Sequence, residues 1–401
     1  MARILLAWEL GAGLGHLTRM APIAHALEAK GHAITLAVRD LSNIYTVFSG
    51  PSYTTFQAPL RLGRSAKPIN HTLSYSQLLS NVGYDDPEIL TGLISAWSSI
   101  LDAVNPDLMI VDHSPTALLA AHGRSMKIAS ISSGFEQPPI GQPFAPFLEN
   151  LNPEQLNLIT TSDRRILENI NCALTQLKIS PLTELHEIYT NIDEVCFLTL
   201  AEFDHFGVRK DVDYLGIQHF QNGQIPQWPI NKKPKIYAYL KPFPKLDEFL
   251  SLLKDSGLNV LIYNNNLPQS LITAHSCDVI KFTDKPIDLK LVADQATLAI
   301  VNANHTTTGW LALNGLPCLM IPLHTEQSLF ATRMIKTGTG IAVNKMDAHH
   351  IMAGLKHMLA DDSYRACAKQ LKLKYRDVDF TASHPRMIHR FEKLLAEDSH
   401  R

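Results

Sequence analysis

A histidine directly after a glycine-rich turn is the arrangement near the start of the chain best suited to chemistry. The run Gly11-Ala12-Gly13-Leu14-Gly15-His16 lies between a compact apolar stretch and an amphipathic one. A turn of this kind, between a strand and a helix, opens at the carboxyl edge of a sheet, where open α/β folds bind ligands. Its glycines let another group approach the backbone closely. His16 falls at the helix start, and an imidazole there is able to take a proton from a hydroxyl near neutral pH. Its second ring nitrogen then needs an acceptor. Asp112 ends the strand-like run Leu108 to Val111 and is placed to hold it, in the manner of a His-Asp pair. The plainer alternative is that His16 caps its helix and Asp112 starts the next one. A nicotinamide dinucleotide reading is also open, because Asp40 ends the second strand where such sites carry an acidic residue.

A second group lies far along the chain. Asn304, His305, Thr306, Thr307 and Thr308 crowd the start of an expected helix, where free N–H groups and hydroxyls are able to hold a diphosphate. An ordinary cap rich in Asn and Thr is the alternative. Glu326 and Gln327 follow the strand Cys318 to Ile321 across a short loop. A carboxylate beside a carboxamide offers acceptors and donors that match adjacent sugar hydroxyls, although Glu326 at a helix start also stabilises the helix dipole. Asp85-Asp86 and Asp361-Asp362 are adjacent rather than spaced, and the five cysteines are scattered without a C-x-x-C pair. Neither a chelated metal nor a disulfide framework is expected.

These residues need a scaffold of strands and helices. Arg3 to Trp8, Ile34 to Val38, Leu108 to Val111 and Lys127 to Ile131 read as strands; Leu17, Met20, Ala24 and Leu27 recur at helical spacing, and Pro115 to Ala121 is a short helix. Pro153 to Leu177 is helical, and Val195 to Leu200 returns to strand character. The proline-rich stretch 134–146 is a long loop. Residues 219–234 show neither period and predict a linker. After it the alternation restarts, with strands at Lys235 to Leu240, Leu258 to Tyr263, Val279 to Phe282, Thr297 to Val301 and Cys318 to Ile321. Lys245 to Lys254 and Glu326 to Lys336 are helices between them. Alternation of this kind makes a parallel sheet covered by helices. A chain of 401 residues exceeds what one core supports, so two domains are expected, 1–218 and 235–401, with the last helix free to pack back on the first. Trp8, Trp97 and Met109 are assigned to the core, and His349-His350 to a solvated helix. Lys plus Arg number 36 against 38 acidic residues, which leaves no field for nucleic acid. The scattered cysteines fit a reducing cytoplasm, and no stretch approaches a membrane span, so a soluble protein is expected, with peripheral membrane contact left open.

The opening GAGLGHLTRMAPIAHALEAKGHAITLAV resembles the start of the UDP-glycosyltransferase superfamily, with Ala26, Leu27, Gly31 and His32 matching the tail of its pattern. ADQATLAIVNANHTTTGWLALNGLPCLMIPLHTEQSLFATR is similar to that family's donor-binding signature, with Gly315, Pro317, Pro322, Glu326, Gln327 and Arg333 in register. The resemblance implies a GT-B fold, two Rossmann-like doubly wound domains facing across a cleft. It implies an inverting, metal-independent glycosyltransferase moving a sugar, most simply a hexose, from a nucleotide diphosphate donor of the UDP type to an acceptor hydroxyl. The nucleotide sugar is substrate, and no cofactor is required. By position His16 is the base and Asp112 its support. The donor would meet Gly13, Gly15, Lys241, Asn302, Asn304, His305, Thr306, Thr307, Thr308, Glu326 and Gln327. Two positions depart from the pattern: Asn302 replaces a phosphate-contacting histidine and Trp310 a ribose-holding glutamate. These departures keep open a non-catalytic nucleotide-sugar-binding partner, and the same fold admits a sugar-nucleotide epimerase or hydrolase. The loops 58–86 and 134–146 are expected to choose the acceptor.

Overall fold

The computed structural model describes residues 1–48, 53–63, 65–210, 212–217, 223–264 and 267–397. Strands and helices alternate from the start: β1 (Arg3–Trp8), α1 (Gly15–Ala29), β2 (Ala33–Val38), α2 (Ile44–Val47), β3 (Thr54–Gln57), α3 (Tyr75–Leu79), α4 (Pro87–Val104), β4 (Leu108–Asp112), α5 (Pro115–Ala121), β5 (Lys127–Ser132), α6 (Pro153–Gln176) and β6 (Glu194–Phe197). The series resumes with β7 (Lys235–Tyr239), α7 (Leu246–Ser256), β8 (Asn259–Tyr263), α8 (Gln269–His275), β9 (Ile280–Thr283), α9 (Leu289–Gln295), β10 (Leu298–Val301), α10 (His305–Leu313), β11 (Cys318–Met320), α11 (Thr325–Lys336), β12 (Gly340–Ala342), α12 (Ala348–Ala360), α13 (Ser363–Lys374) and α14 (Ser383–Glu397).

Two compact units result. The first comprises 1–199, 211–216 and 381–401, the second 200–210 and 217–380. The first holds a six-stranded parallel sheet in the order β3-β2-β1-β4-β5-β6. The central strands β1 and β4 are buried almost throughout, as strands covered on both faces must be. The chain reverses its direction of winding between β1 and β4, and the crevice beyond their carboxyl ends is where this topology receives ligands. Trp8 is the register partner of Asp112 across that point. Gly31 (φ +88) stops α1 in the left-handed conformation and turns the chain into β2.

The second unit repeats the order within itself, β12-β11-β10-β7-β8-β9, again all parallel. Its reversal lies between β7 and β10. Phe249, Leu253, Val260 and Ile351 pack on one face of this sheet, and Phe203, Leu311, Met320 and Phe330 on the other.

The division of the chain departs from the expected boundaries. Residues 200–210 count with the second unit, where Phe203 stacks edge-on against Phe330. The described part of the expected linker also belongs there: Gln224 donates to Pro286 O and accepts from Asp288 N, and Trp228 Nε1 donates to Gln295. Residues 218–222 lie outside the described residues. The stretch 381–401 counts with the first unit, in line with the expectation that the last helix packs back on it. There Met387 and Phe391 enter the core, Glu392 takes a 2.8 Å hydrogen bond with His32 Nε2, and Arg390 pairs with Glu194 at 3.1 Å.

Beyond the expected elements, α4 carries a clear signal in the sequence, whereas two edge strands carry none. Asp86 caps α4 through the N–H groups of Glu88 and Ile89, with Pro87 in the first turn and Leu90, Ile94, Trp97 and Leu101 on the buried face. The short edge strands β3 and β12 have too few residues to show a period. Trp8, Trp97 and Met109 are core residues as expected, and His349 and His350 are exposed on α12.

Candidate active site

In the first unit the turn after β1 brings His16 onto the carboxyl end of the sheet. His16 Nδ1 lies 3.0 Å from Asp112 Oδ1. A carboxylate accepts, so Nδ1 carries the proton and the neutral imidazole keeps its lone pair on Nε2. The ring stacks on Trp8 with centroids 4.8 Å apart and planes inclined by 19°, and Trp8 is itself fixed by a 2.7 Å bond from its indole N–H to Leu10 O. Gly11 (φ +82) makes room for the ring: a Cβ there would stand 2.6 Å from His16 Nε2. Asp40, the acid that a dinucleotide reading requires, is exposed and accepts from the N–H of Ser42. It is a turn residue.

Two residues that the sequence did not single out complete this cluster. Arg19, one turn along α1 from His16, reaches Asp112 Oδ1 and Glu136 Oε1, each at 3.3 Å. Glu136 Oε2 is held by the hydroxyl of Ser132 (3.0 Å) and by the N–H and hydroxyl of Ser133 (2.7 and 2.8 Å). Burial opposes ionisation of Glu136, but Arg19, His16 and His113 outweigh it and hold the carboxyl well below its usual range. Burial also opposes a charge on His16. The charge and hydrogen bond of Asp112, with Glu136, overcome burial and Arg19, and the imidazole holds a proton more tightly than an ordinary histidine. His113 has left-handed backbone (φ 53), and burial pushes its imidazole down to about 4, so it is neutral at pH 7.

His16, Asp112 and Glu136 offer ligand atoms within 4.8 Å of one another. The Arg19 guanidinium bridges both carboxylates and supplies the positive charge that a metal would otherwise bring. The expectation of no metal site also passed over two D-x-D spacings, Asp211-Val212-Asp213 and Asp377-Val378-Asp379. Asp213 is paired with Arg386 and Arg390, Asp377 with Arg376, and Asp211 lies outside the described residues.

In the second unit α10 begins at the corresponding carboxyl edge. Its first backbone bond within the helix runs from Thr308 N to Asn304 O at 2.9 Å, which leaves the preceding N–H groups outside the ladder. Among the described residues the N–H and hydroxyl groups of Thr306 and Thr307 have no partner, and both residues are partly exposed. The other expected donor contacts are employed inside the fold. Asn302 is fully buried; its Oδ1 accepts from Lys241 N at 2.6 Å and its Nδ2 donates to Ile321 O at 2.9 Å, which ties the ends of β7 and β11 to β10. His305 packs its ring on Phe330 and His205, and the side chain of Thr308 is wholly buried. Gln327 is buried too, accepting from Leu323 N at 2.8 Å and donating to Asn304 Oδ1 at 2.6 Å. It therefore positions Asn304 instead of facing a sugar. Glu326 lies half-buried in the first turn of α11. His324, which precedes α11, is exposed. Trp310 packs against the hydrophobic core. Gly13 and Gly15 are exposed in the first unit, and a Cβ at Gly15 would meet nothing within 4 Å. Among the described residues, no helix is long and apolar enough to cross a membrane.

Two doubly wound units, one carrying a His-Asp pair and the other an open helix start at its reversal point, define the GT-B class of glycosyltransferase folds. Residues 306–379 match the family of UDP-glucoronosyl and UDP-glucosyl transferases. The matched stretch runs from α10 through α13 of the second unit. No curated protein matches it significantly in sequence. The calicheamicin glycosyltransferase CalG4 is similar in structure, with a TM-score of 0.68 at 16% identity over 98% of each chain. SsfS6, a glycosyltransferase of Streptomyces sp. SF2575, aligns with a TM-score of 0.60 at 15% identity over 97% of this chain and 99% of that one, and it has also been solved with thymidine diphosphate. The spinosyn rhamnosyltransferase SpnG gives a TM-score of 0.59 at 13% identity, over 97% of this chain and 100% of that one. At such identities the likeness is one of fold.

Proposed function

We propose that the chain transfers a hexose from a uridine diphosphate sugar to an acceptor hydroxyl by a direct, metal-independent displacement that inverts the anomeric centre. The observation that carries this reading is the His16–Asp112 pair at 3.0 Å, with Nε2 beside the bare backbone of Gly11. The acceptor oxygen bonds to the anomeric carbon as its proton passes to His16 Nε2, and Asp112 stabilises the imidazolium that forms. The bond from the anomeric carbon to the diphosphate oxygen breaks, and the nucleoside diphosphate departs with the electron pair. Its charge is met by the N–H and hydroxyl groups of Thr306 and Thr307 and by Lys241. Asn304 and Glu326 are the remaining candidates for sugar contact. We place the enzyme in the cytoplasm, in keeping with five cysteines that are free thiols.

The test begins with thermal stabilisation by uridine, thymidine and guanosine diphosphates and their sugars, because a ligand that binds only the folded state raises stability with concentration. With the donor so chosen, His16→Ala lowers sugar transfer by ~10²–10⁴ while affinity for the nucleoside diphosphate is unchanged. Transfer at the wild-type rate would reject the assignment.

A further inference from the structure

We propose that Arg19 and Glu136 are positioning residues of the transfer reaction, forming with Asp112 a charged brace that fixes the orientation and proton affinity of His16. The inference rests on the reading of His16 as the base. Asp112 is fully buried, and only its Oδ1 is engaged, by His16 and by Arg19 at once. Oδ2 has no hydrogen-bond partner. A buried carboxylate bonded on one oxygen alone is free to swing about its last torsion unless something beyond the histidine fixes it. Arg19 is that constraint, and Arg19 is in turn set by Glu136, which the Ser132-Ser133 corner holds through three hydrogen bonds. The brace therefore runs from the end of β5, through a loop carboxylate and a helix guanidinium, to the end of β4.

The arrangement also fixes charge. The groups facing His16 are Arg19 from its own helix, Asp112 and His113 from the end of β4, and Glu136 from the loop after β5. From β1 it meets the uncharged Trp8, while the neighbouring Glu9 carboxylate turns away to accept from Thr116 N. His113 is neutral near pH 7, so the cluster holds two carboxylates against one guanidinium before His16 takes a proton. Removing Glu136 frees Arg19 to neutralise Asp112 and makes His16 a weaker base. Removing Arg19 leaves both carboxylates uncompensated and makes it a stronger one. Catalysis at neutral pH needs a base between these limits.

The experiment is a ¹⁵N-histidine NMR titration of the full chain, with the His16 signals assigned by their loss in His16→Ala, on wild type, Glu136→Gln and Arg19→Gln. The expected result is a titration midpoint moved down in Glu136→Gln and up in Arg19→Gln, with Arg19→Lys closer to wild type than Arg19→Gln. A purely structural brace would not move the two midpoints in opposite directions. Midpoints that stay within the scatter of repeat titrations, or that move together, overturn the proposal. If Glu136→Gln does not fold, Arg19→Gln and Arg19→Lys carry the same test, since Arg19 borders solvent, and an unmoved or lowered midpoint in Arg19→Gln is then the overturning result. The reading of His16 as base fails separately, if midpoints move as expected yet His16→Ala still transfers sugar at the wild-type rate.

Discussion

The two units share a strand order but fill their reversal points with opposite chemistry. After β1 and β4 the first unit gathers His16, Asp112, Arg19 and Glu136, all of them ionisable. After β7 and β10 the second unit frames the matching place with amides beside a single lysine, Lys241: Asn302 ties β7 to β11, and Gln327 holds Asn304 at the mouth of α10. A proton acceptor needs charged neighbours to set its affinity. A diphosphate brings its own charge and is met by fixed N–H dipoles that need only be held open. The same backbone address thus serves either task, and side chains decide which.

Substitutions at each place separate the two kinds of site. After loss of His16 itself, the largest expected effect is at Gly11: Gly11→Ala sets a methyl against His16 Nε2, and the ring is held by Trp8 and Asp112. A displacement of about 1 Å in a reacting group costs ~10² in rate, so turnover drops by that factor while affinity for the nucleoside diphosphate, measured by calorimetry, stays at the wild-type value. Equal turnover would mean that the acceptor does not approach over Gly11.

Glu9, which directly follows β1, makes stability of the first unit depend on pH. Burial raises its carboxyl from 4.5 to about 7, against hydrogen bonds from Thr116 and its neighbours. An acid whose folded value is raised binds protons better when folded, so its contribution to stability is present below 4.5 and is lost as pH rises to about 7. Glu9→Gln keeps an acceptor for Thr116 N and removes the titration. Relative to wild type it gains up to about 3 kcal/mol above pH 7 and nothing near pH 4, in urea unfolding at the two pH values. An equal gain at both would show that Glu9 titrates normally.

A smaller effect is expected from Asn302→Ala, which strands Lys241 N and Ile321 O without their partner. Loss of the crossbar destabilises the second unit by about 1–3 kcal/mol, read as hydrogen exchange in β7, β10 and β11, while exchange in β1 and β4 is unaltered. Slower or equal exchange in the second unit would return Asn302 to the direct phosphate contact that the sequence resemblance implied.

What the sequence revealed divides along the same lines. His16 and Asp112 were legible because each occupies a position that a chain pattern defines, after the last glycine of a turn and at the end of an apolar strand. Arg19 carried a signal that went unused, since three residues from His16 is one helical turn on the same face. Glu136 carried none, because a loop has no period and only the folded Ser132-Ser133 corner shows what it holds. At α10 the crowded helix start put His305, Thr306, Thr307 and Thr308 into one group, whereas helical spacing sorts them. His305, Thr308, Leu311 and Ala312 face the core, and Thr306 and Thr307 do not. The last helix packs on the first unit, as the sequence allowed, but the contacts that fix it there, such as Glu392 with His32, are distant in sequence and invisible to any local pattern.

The central claim is a division of labour, with the first unit acting on the acceptor proton and the second holding the nucleoside diphosphate. Isothermal titration of uridine diphosphate into wild type, Thr307→Val and His16→Ala tests it directly. Removing one hydroxyl hydrogen bond to a charged group costs about 1.5–3 kcal/mol, so Thr307→Val weakens binding by that amount and His16→Ala binds as wild type does. Full affinity in Thr307→Val together with a comparable loss in His16→Ala would contradict the account.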